Sequence, residues 1–188
     1  MRTKLILVLC SAVSLQVNAT PLDVRIGATV EDLEAQGLSV EPDEATYEYV
    51  MIAPGQQPED QVRALITPKR GLCEMRWTMR IEPLSPSGAE LKSKYVGLYE
   101  AGLQAIGEPS YRDSVKDLKT DDQRWRSIYL QEDRVVLAWE KPMTTADVTS
   151  LKLEAWSEEP NVGLARMTIS APWIGECLEE QKNGQTLP

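Results

Sequence analysis

The chain of 188 residues has no histidine, no phenylalanine and three cysteines. Without an imidazole, a Ser-His-Asp triad and a Cys-His nucleophile pair are both excluded. Histidine-containing zinc sites go with them, and so few thiols cannot build a four-thiolate site. Neither GxGxxG nor GxxxxGK[ST] occurs, so no glycine-rich phosphate loop is expected. "SPSG" (85–88) lacks the flanking glycines and the base of a serine elbow, and it reads as the start of a helix.

Carboxylates remain as candidate chemistry. Asp43-Glu44, Glu59-Asp60, Asp121-Asp122, Glu132-Asp133 and Glu158-Glu159 are adjacent pairs in predicted turns. Glycosidase chemistry needs two acids facing across a cleft at a fixed separation. Neighbouring acids in turns do not supply that, and none has the spacing of a calcium loop. No catalytic residue, metal ligand or cofactor is assigned.

Long apolar runs are equally scarce. Leu5 to Val13 is too short to cross a bilayer and stay there. It follows Arg2 and Lys4 and precedes Val17-Asn18-Ala19, the three-part pattern of a secretory signal with cleavage after Ala19. The expected product is residues 20–188, periplasmic or secreted, with no stable membrane insertion. Loss of Arg2 and Lys4 takes the net charge from −9 to −11. An acidic surface repels nucleic acid and attracts basic proteins or cations.

Cleavage also removes Cys10 and leaves Cys73 and Cys177, an even pair in an oxidising compartment. That is the arithmetic of one disulfide. Closing a loop of this length is worth about 4–5 kcal/mol on a chain-entropy view.

"GLCEMRWTMRI" (71–81) alternates, with Cys73, Met75, Trp77, Met79 and Ile81 on one face and Glu74, Arg76, Thr78 and Arg80 on the other. This predicts a half-buried strand. Strands are also expected over 46–52 and 62–67. "DVRIGATVEDLEAQGL" (23–38) reads as a short strand, a turn and a short helix capped by Thr29 and closed by Gly37.

The clearest helix lies in 85–109. Leu91, Tyr95, Leu98, Tyr99, Leu103 and Ile106 form an apolar stripe, Ser87 is a candidate cap, and Gly107 with Pro109 is a stop. "RWRSIYL" and "RVVLAWE" around "QED" read as a hairpin, 151–156 and 164–170 as a second, and 172–182 as a short helix carrying Cys177. The sum is an α+β fold, an antiparallel β-sheet with two or three helices packed on one side. Two α-β-β-β halves can be drawn, 20–84 and 85–188.

Helix followed by β-meander, given twice in a secreted chain, resembles the layout of SmpA/OmlA-type and β-lactamase-inhibitor-like periplasmic proteins. "IGATVEDLEAQG" and "LQAIGEP…RWRSIYL…RVVLAWE" carry the likeness. It is one of topology, and no functional residue is transferred.

Four of five tryptophans fall on predicted strands. In the 125–139 hairpin, Trp125, Tyr129, Val136 and Ala138 form a second apolar face, which makes Trp125 and Tyr129 candidate partner-binding residues. Asp121, Asp122, Glu132 and Asp133 would be an acidic rim steering a basic partner. The function expected is non-enzymatic protein binding in the periplasm. One concrete form is an inhibitor or immunity protein against a basic cell-wall hydrolase or toxin. The alternative is a structural accessory of envelope assembly, and a carboxylate hydrolase ranks third.

Overall fold

A computed structural model of the chain describes residues 24–44, 48–53, 56–112, 122–139 and 150–183. The expected signal segment, residues 1–19, and Asp121 lie outside them.

The first helix, α1 (Val30–Ala35), starts with a reciprocal capping box. Thr29 Oγ1 accepts from the Asp32 N–H, and Asp32 accepts from the Thr29 N–H. That satisfies two of the donors a helix start leaves unpaired. Among the described residues no strand precedes it. Instead, Gly27 donates to the Leu72 carbonyl and Leu72 to the Ala28 carbonyl, both at 2.8 Å. This clasp needs Gly71 at φ +68°, where a Cβ would stand 2.3 Å from the Gly27 carbonyl oxygen.

Strands β1 (Ser39–Asp43), β2 (Glu48–Ile52), β3 (Gln61–Thr67) and β4 (Gly71–Ile81) follow as an antiparallel meander. Then come α2 (Ala89–Ile106), β5 (Tyr111–Arg112), α3 (Asp122–Tyr129), β6 (Val135–Trp139), β7 (Ser150–Glu159), β8 (Val162–Ser170) and α4 (Ile174–Lys182). The eight strands make one antiparallel sheet in the order β1-β2-β3-β4-β8-β7-β6-β5. The α+β class is thus the one read from the sequence, with four helices among the described residues where two or three were expected. The boundary drawn at residue 84 falls between β4 and α2, and the two meanders join where β4 pairs with β8.

One sheet face carries the main core. Leu33 of α1, Leu91 and Tyr95 of α2, and Trp125 and Ile128 of α3 pack with inward residues of the strands, among them Met51, Met75, Leu153 and Met167. Gly102 lets α2 settle on Trp139 and Leu151, while Gly97 faces open space. The Trp139 indole N–H donates to the carbonyl of Gly107, the residue that ends α2, at 2.7 Å. Ser87 is not the cap of α2. Gly88 holds that position at φ +67°, and Ser85 holds Glu90 through both its N–H and its hydroxyl.

Three expectations are corrected here. The segment 122–129 is a helix, not the first strand of a hairpin. Trp125, Ile128 and Tyr129 sit three and four apart, which gathers them on the side turned to the core. Cys73 does not share a face with Met75, Trp77, Met79 and Ile81. The register shifts on β4, so that Leu65 pairs with Glu74 but Ile66 pairs with Leu72. The extra residue is Cys73, and a β-bulge turns it to the opposite side. There it packs with Leu65 and Cys177 in a second, smaller cluster under α4. The helices therefore do not all lie on one side of the sheet. The disulfide expected from cysteine counting is present, with Cys73 and Cys177 bonded and their Cα atoms 6.5 Å apart.

Candidate functional site

Among the described residues, α4 is the helix on the second face of the sheet, and it covers only the end near Leu65 and Cys73. The rest of that face is built by strict alternation. Strand β4 contributes Glu74, Arg76, Thr78 and Arg80, β8 contributes Leu164, Arg166 and Thr168, and β7 contributes Lys152, Glu154, Trp156 and Glu158. Arg63 and Gln61 add to it from β3.

The register sets which side chains meet. Arg63 stands opposite Arg76, a like-charge pair that would be unfavourable alone. Carboxylates offset it. Asp43 holds Arg63 at 2.8 Å, Glu48 reaches both arginines, and Glu74 holds Arg76 at 3.2 Å. These groups are about a third exposed or less, so each pair is worth at most about 1 kcal/mol. Arg80 pairs with Glu82 at 3.0 Å and Lys152 with Glu154 at 2.9 Å.

Arg166 is different. Its Nε donates to Thr78 Oγ1 at 3.1 Å, and its guanidinium lies 4.7 Å from the centre of the Trp156 ring. Such stacking is favourable by about 0.5–2 kcal/mol depending on exposure. Trp156 is fixed in turn by its indole N–H, which donates to Glu158 at 3.1 Å.

Two depressions open beside this stack. One, of about 310 Å³, is bordered by Arg63, Arg76, Thr78, Arg80 and Arg166. The other, of about 590 Å³, is bordered by Trp156, Glu132, Asp133, Glu154 and Glu158, with Arg134 and Arg166. They share Glu158 and Arg166. The face is thus polarised, cationic over β3–β4–β8 and anionic towards the β6 end of β7.

The expected site residues scatter across this geometry. Trp125 is 1% exposed and meets Tyr95 edge-on at 5.7 Å, so it belongs to the core and cannot touch a partner. Tyr129 is half-buried, with its hydroxyl 3.4 Å from Asn161 Oδ1. Asp122 begins α3 and binds Lys92 at 2.8 Å, away from the open face. Glu132 and Asp133 do border the second depression. Asp133 pairs with Arg124 at 3.1 Å and accepts the Arg134 N–H at 2.7 Å. The aromatic residue they flank is Trp156.

Of the tryptophans, Trp77, Trp139 and Trp156 lie on strands, Trp125 on α3, and Trp173 precedes α4. Sequence reasoning missed Trp156 and Arg166 as a pair. A usable signal was available, because β7 and β8 each place one at an outward position of the alternation.

No group of three or more acidic or cysteine side chains among the described residues could hold a metal ion. No described helix is long and apolar enough to cross a membrane. No protein-family model and no curated protein matches the chain. Among solved structures it is similar to the Ran-binding protein Mog1p of Saccharomyces cerevisiae, at 10% sequence identity and a TM-score of 0.33, over 80% of this chain and 85% of that one. An overlap that loose transfers neither fold nor function.

Proposed function

We propose that the chain is a non-enzymatic protein-binding protein of the periplasm or the secreted milieu, and that a net-basic partner docks on the open face of its sheet. An inhibitor or immunity protein against a cationic cell-wall hydrolase or toxin is the concrete form. The observation that carries this reading is the setting of Trp156. It is an aromatic residue on a face that the described residues leave open, flanked by Glu132, Asp133, Glu154 and Glu158. Aromatic centres hold partners, and acidic rims speed the encounter with basic ones. The net charge of −9 acts in the same direction over longer range.

The test is capture from envelope extract with the processed protein, compared across variants. A cationic protein retained by the wild type should be lost with Trp156→Ala. It should bind more slowly to a Glu132→Lys, Asp133→Lys double variant, with a defect that shrinks as salt rises. Equal capture by all three would remove the open face from consideration. Intact mass of the exported protein checks the compartment, since it should correspond to a chain beginning at Thr20.

A further inference from the structure

The smaller depression has a charge balance that the proposed docking surface leaves unexplained. Thr78 lies at its centre. On β4, Arg76 and Arg80 flank it two residues away on the same face, and Arg166 stands directly opposite on β8. Arg63 completes the ring from β3, opposite Arg76.

Three of these four guanidiniums have their own carboxylates. Asp43 and Glu48 serve Arg63, Glu48 and Glu74 serve Arg76, and Glu82 serves Arg80. Among the described residues no ion pair includes Arg166, whose contacts are the Thr78 hydroxyl and the Trp156 ring. Its Nε is used, so its terminal N–H groups remain to donate. The Thr78 hydroxyl accepts from Arg166, so its own proton is also free to donate. A planar fork and a hydroxyl converging on one depression match the two oxygens of a carboxylate.

We infer that the depression centred on Thr78 receives a single carboxylate carried on the chain of a protein partner. This rests on the reading of the open face as a docking surface, and it adds what sets the register there. Basic groups of the partner meet Glu132, Asp133 and Glu158, while one acidic side chain or chain terminus reaches Arg166 and Thr78. A phosphate dianion fits less well. Three of the four arginines are already ion-paired among the described residues, Glu154 stands opposite Arg166 on β7, Glu59 and Glu158 also border the depression, and the field of an acidic protein opposes multiple negative charge.

The experiment is a nuclear magnetic resonance titration of the processed protein, residues 20–188. The probes are a capped peptide, Lys-Gly-Glu-Gly-Lys, its twin with glutamine in place of glutamate, and inorganic phosphate. The glutamate peptide should produce saturable shifts at the Thr78 amide and at the Arg166 Nε–H. Arg166→Gln and Thr78→Val, both at outward positions, should each weaken it, the first by about tenfold. Equal shifts from the glutamine twin would overturn the inference, as would tighter binding of phosphate or the absence of any saturable shift. If the peptide fails while Trp156→Ala still abolishes capture of the envelope partner, this inference falls and the docking reading stands. If the peptide binds while all capture variants behave as wild type, the docking reading falls instead.

Discussion

Replacing Trp125 by alanine separates the two roles this residue could have. Its side chain is 1% exposed, lies edge-on to Tyr95 at 5.7 Å, and closes the space between α2 and α3 above the sheet. Truncating a buried tryptophan costs about 3–5 kcal/mol in lost transfer and residual cavity. The edge-to-face contact accounts for about 0.5–1.5 kcal/mol of that. Relaxation is restricted, because the backbone around Trp125 is pinned against Gly88, where even a Cβ would come within 2.7 Å of the Trp125 carbonyl oxygen. The loss should therefore fall in the upper half of the range. A domain of this size is stable by about 5–15 kcal/mol, so the variant should fold but with a much lower urea midpoint. With a slope of about 2 kcal/mol per molar, the midpoint should drop by roughly 2 M. Trp156→Ala, on the open face, should lose no more than about 1 kcal/mol in stability. A double-mutant cycle with Tyr95→Leu should recover the aromatic coupling. A loss below about 1 kcal/mol for Trp125→Ala, or equal losses at positions 125 and 156, would refute the assignment of core and surface.

Three further outcomes are expected. Reducing the Cys73–Cys177 bond, or replacing both residues by serine, should destabilise the protein by about 4–5 kcal/mol on the loop-closure argument, read as a lower melting temperature that reductant no longer changes in the double variant. Gly71→Ala should be among the most damaging single changes, costing more than about 3 kcal/mol or abolishing folding, since it combines a positive φ with collision against backbone; circular dichroism of the purified variant decides it. Asp60 is raised above its ordinary value of 3.8 by burial, with Trp77, Lys94 and the Arg80 backbone opposing and Glu59 assisting. Its favourable contribution is complete below that value and lost as pH rises through the higher folded pKa, so Asp60→Asn should gain in melting temperature over the wild type as pH climbs from about 3 towards neutrality.

How much of this was legible in the sequence depended on how local the signal was. The outward set Glu74, Arg76, Thr78 and Arg80 followed from alternation alone, and the cap at Thr29 and the stop at Gly107 from local chemistry. The disulfide needed only a count of thiols. The bulge at Cys73 was not legible, because the shift is defined by the partner strand, where Leu65 and Ile66 take non-successive partners. Helix α3 was misread because tryptophan, isoleucine and tyrosine favour strands, and only packing against Tyr95 and Gly88 decides for helix. Strand β1 was hidden by Pro42, which an edge strand tolerates. The site was half visible. Arg76, Thr78 and Arg80 were placed on an outer face, but Arg166 and Trp156 join them only through the β4–β8 and β7–β8 registers.

The β4–β8 pairing has a kinetic side. It joins Glu74 to Ser170 and Ile81 to Gly163, so the middle of the sheet is a seam closed by the last of the described strands to be synthesised. A chain emerging from its N-terminus can assemble the β1–β4 meander early, but the eleven residues of β4 then present a bare edge with an apolar side until β8 arrives. Pairing across so long a stretch of chain is slow, and an unpaired inner strand is the part of a sheet most prone to recruit a neighbouring molecule. Nascent or truncated chains ending before Val162 are therefore the aggregation-prone form of this protein, and the finished fold hides that edge at its centre.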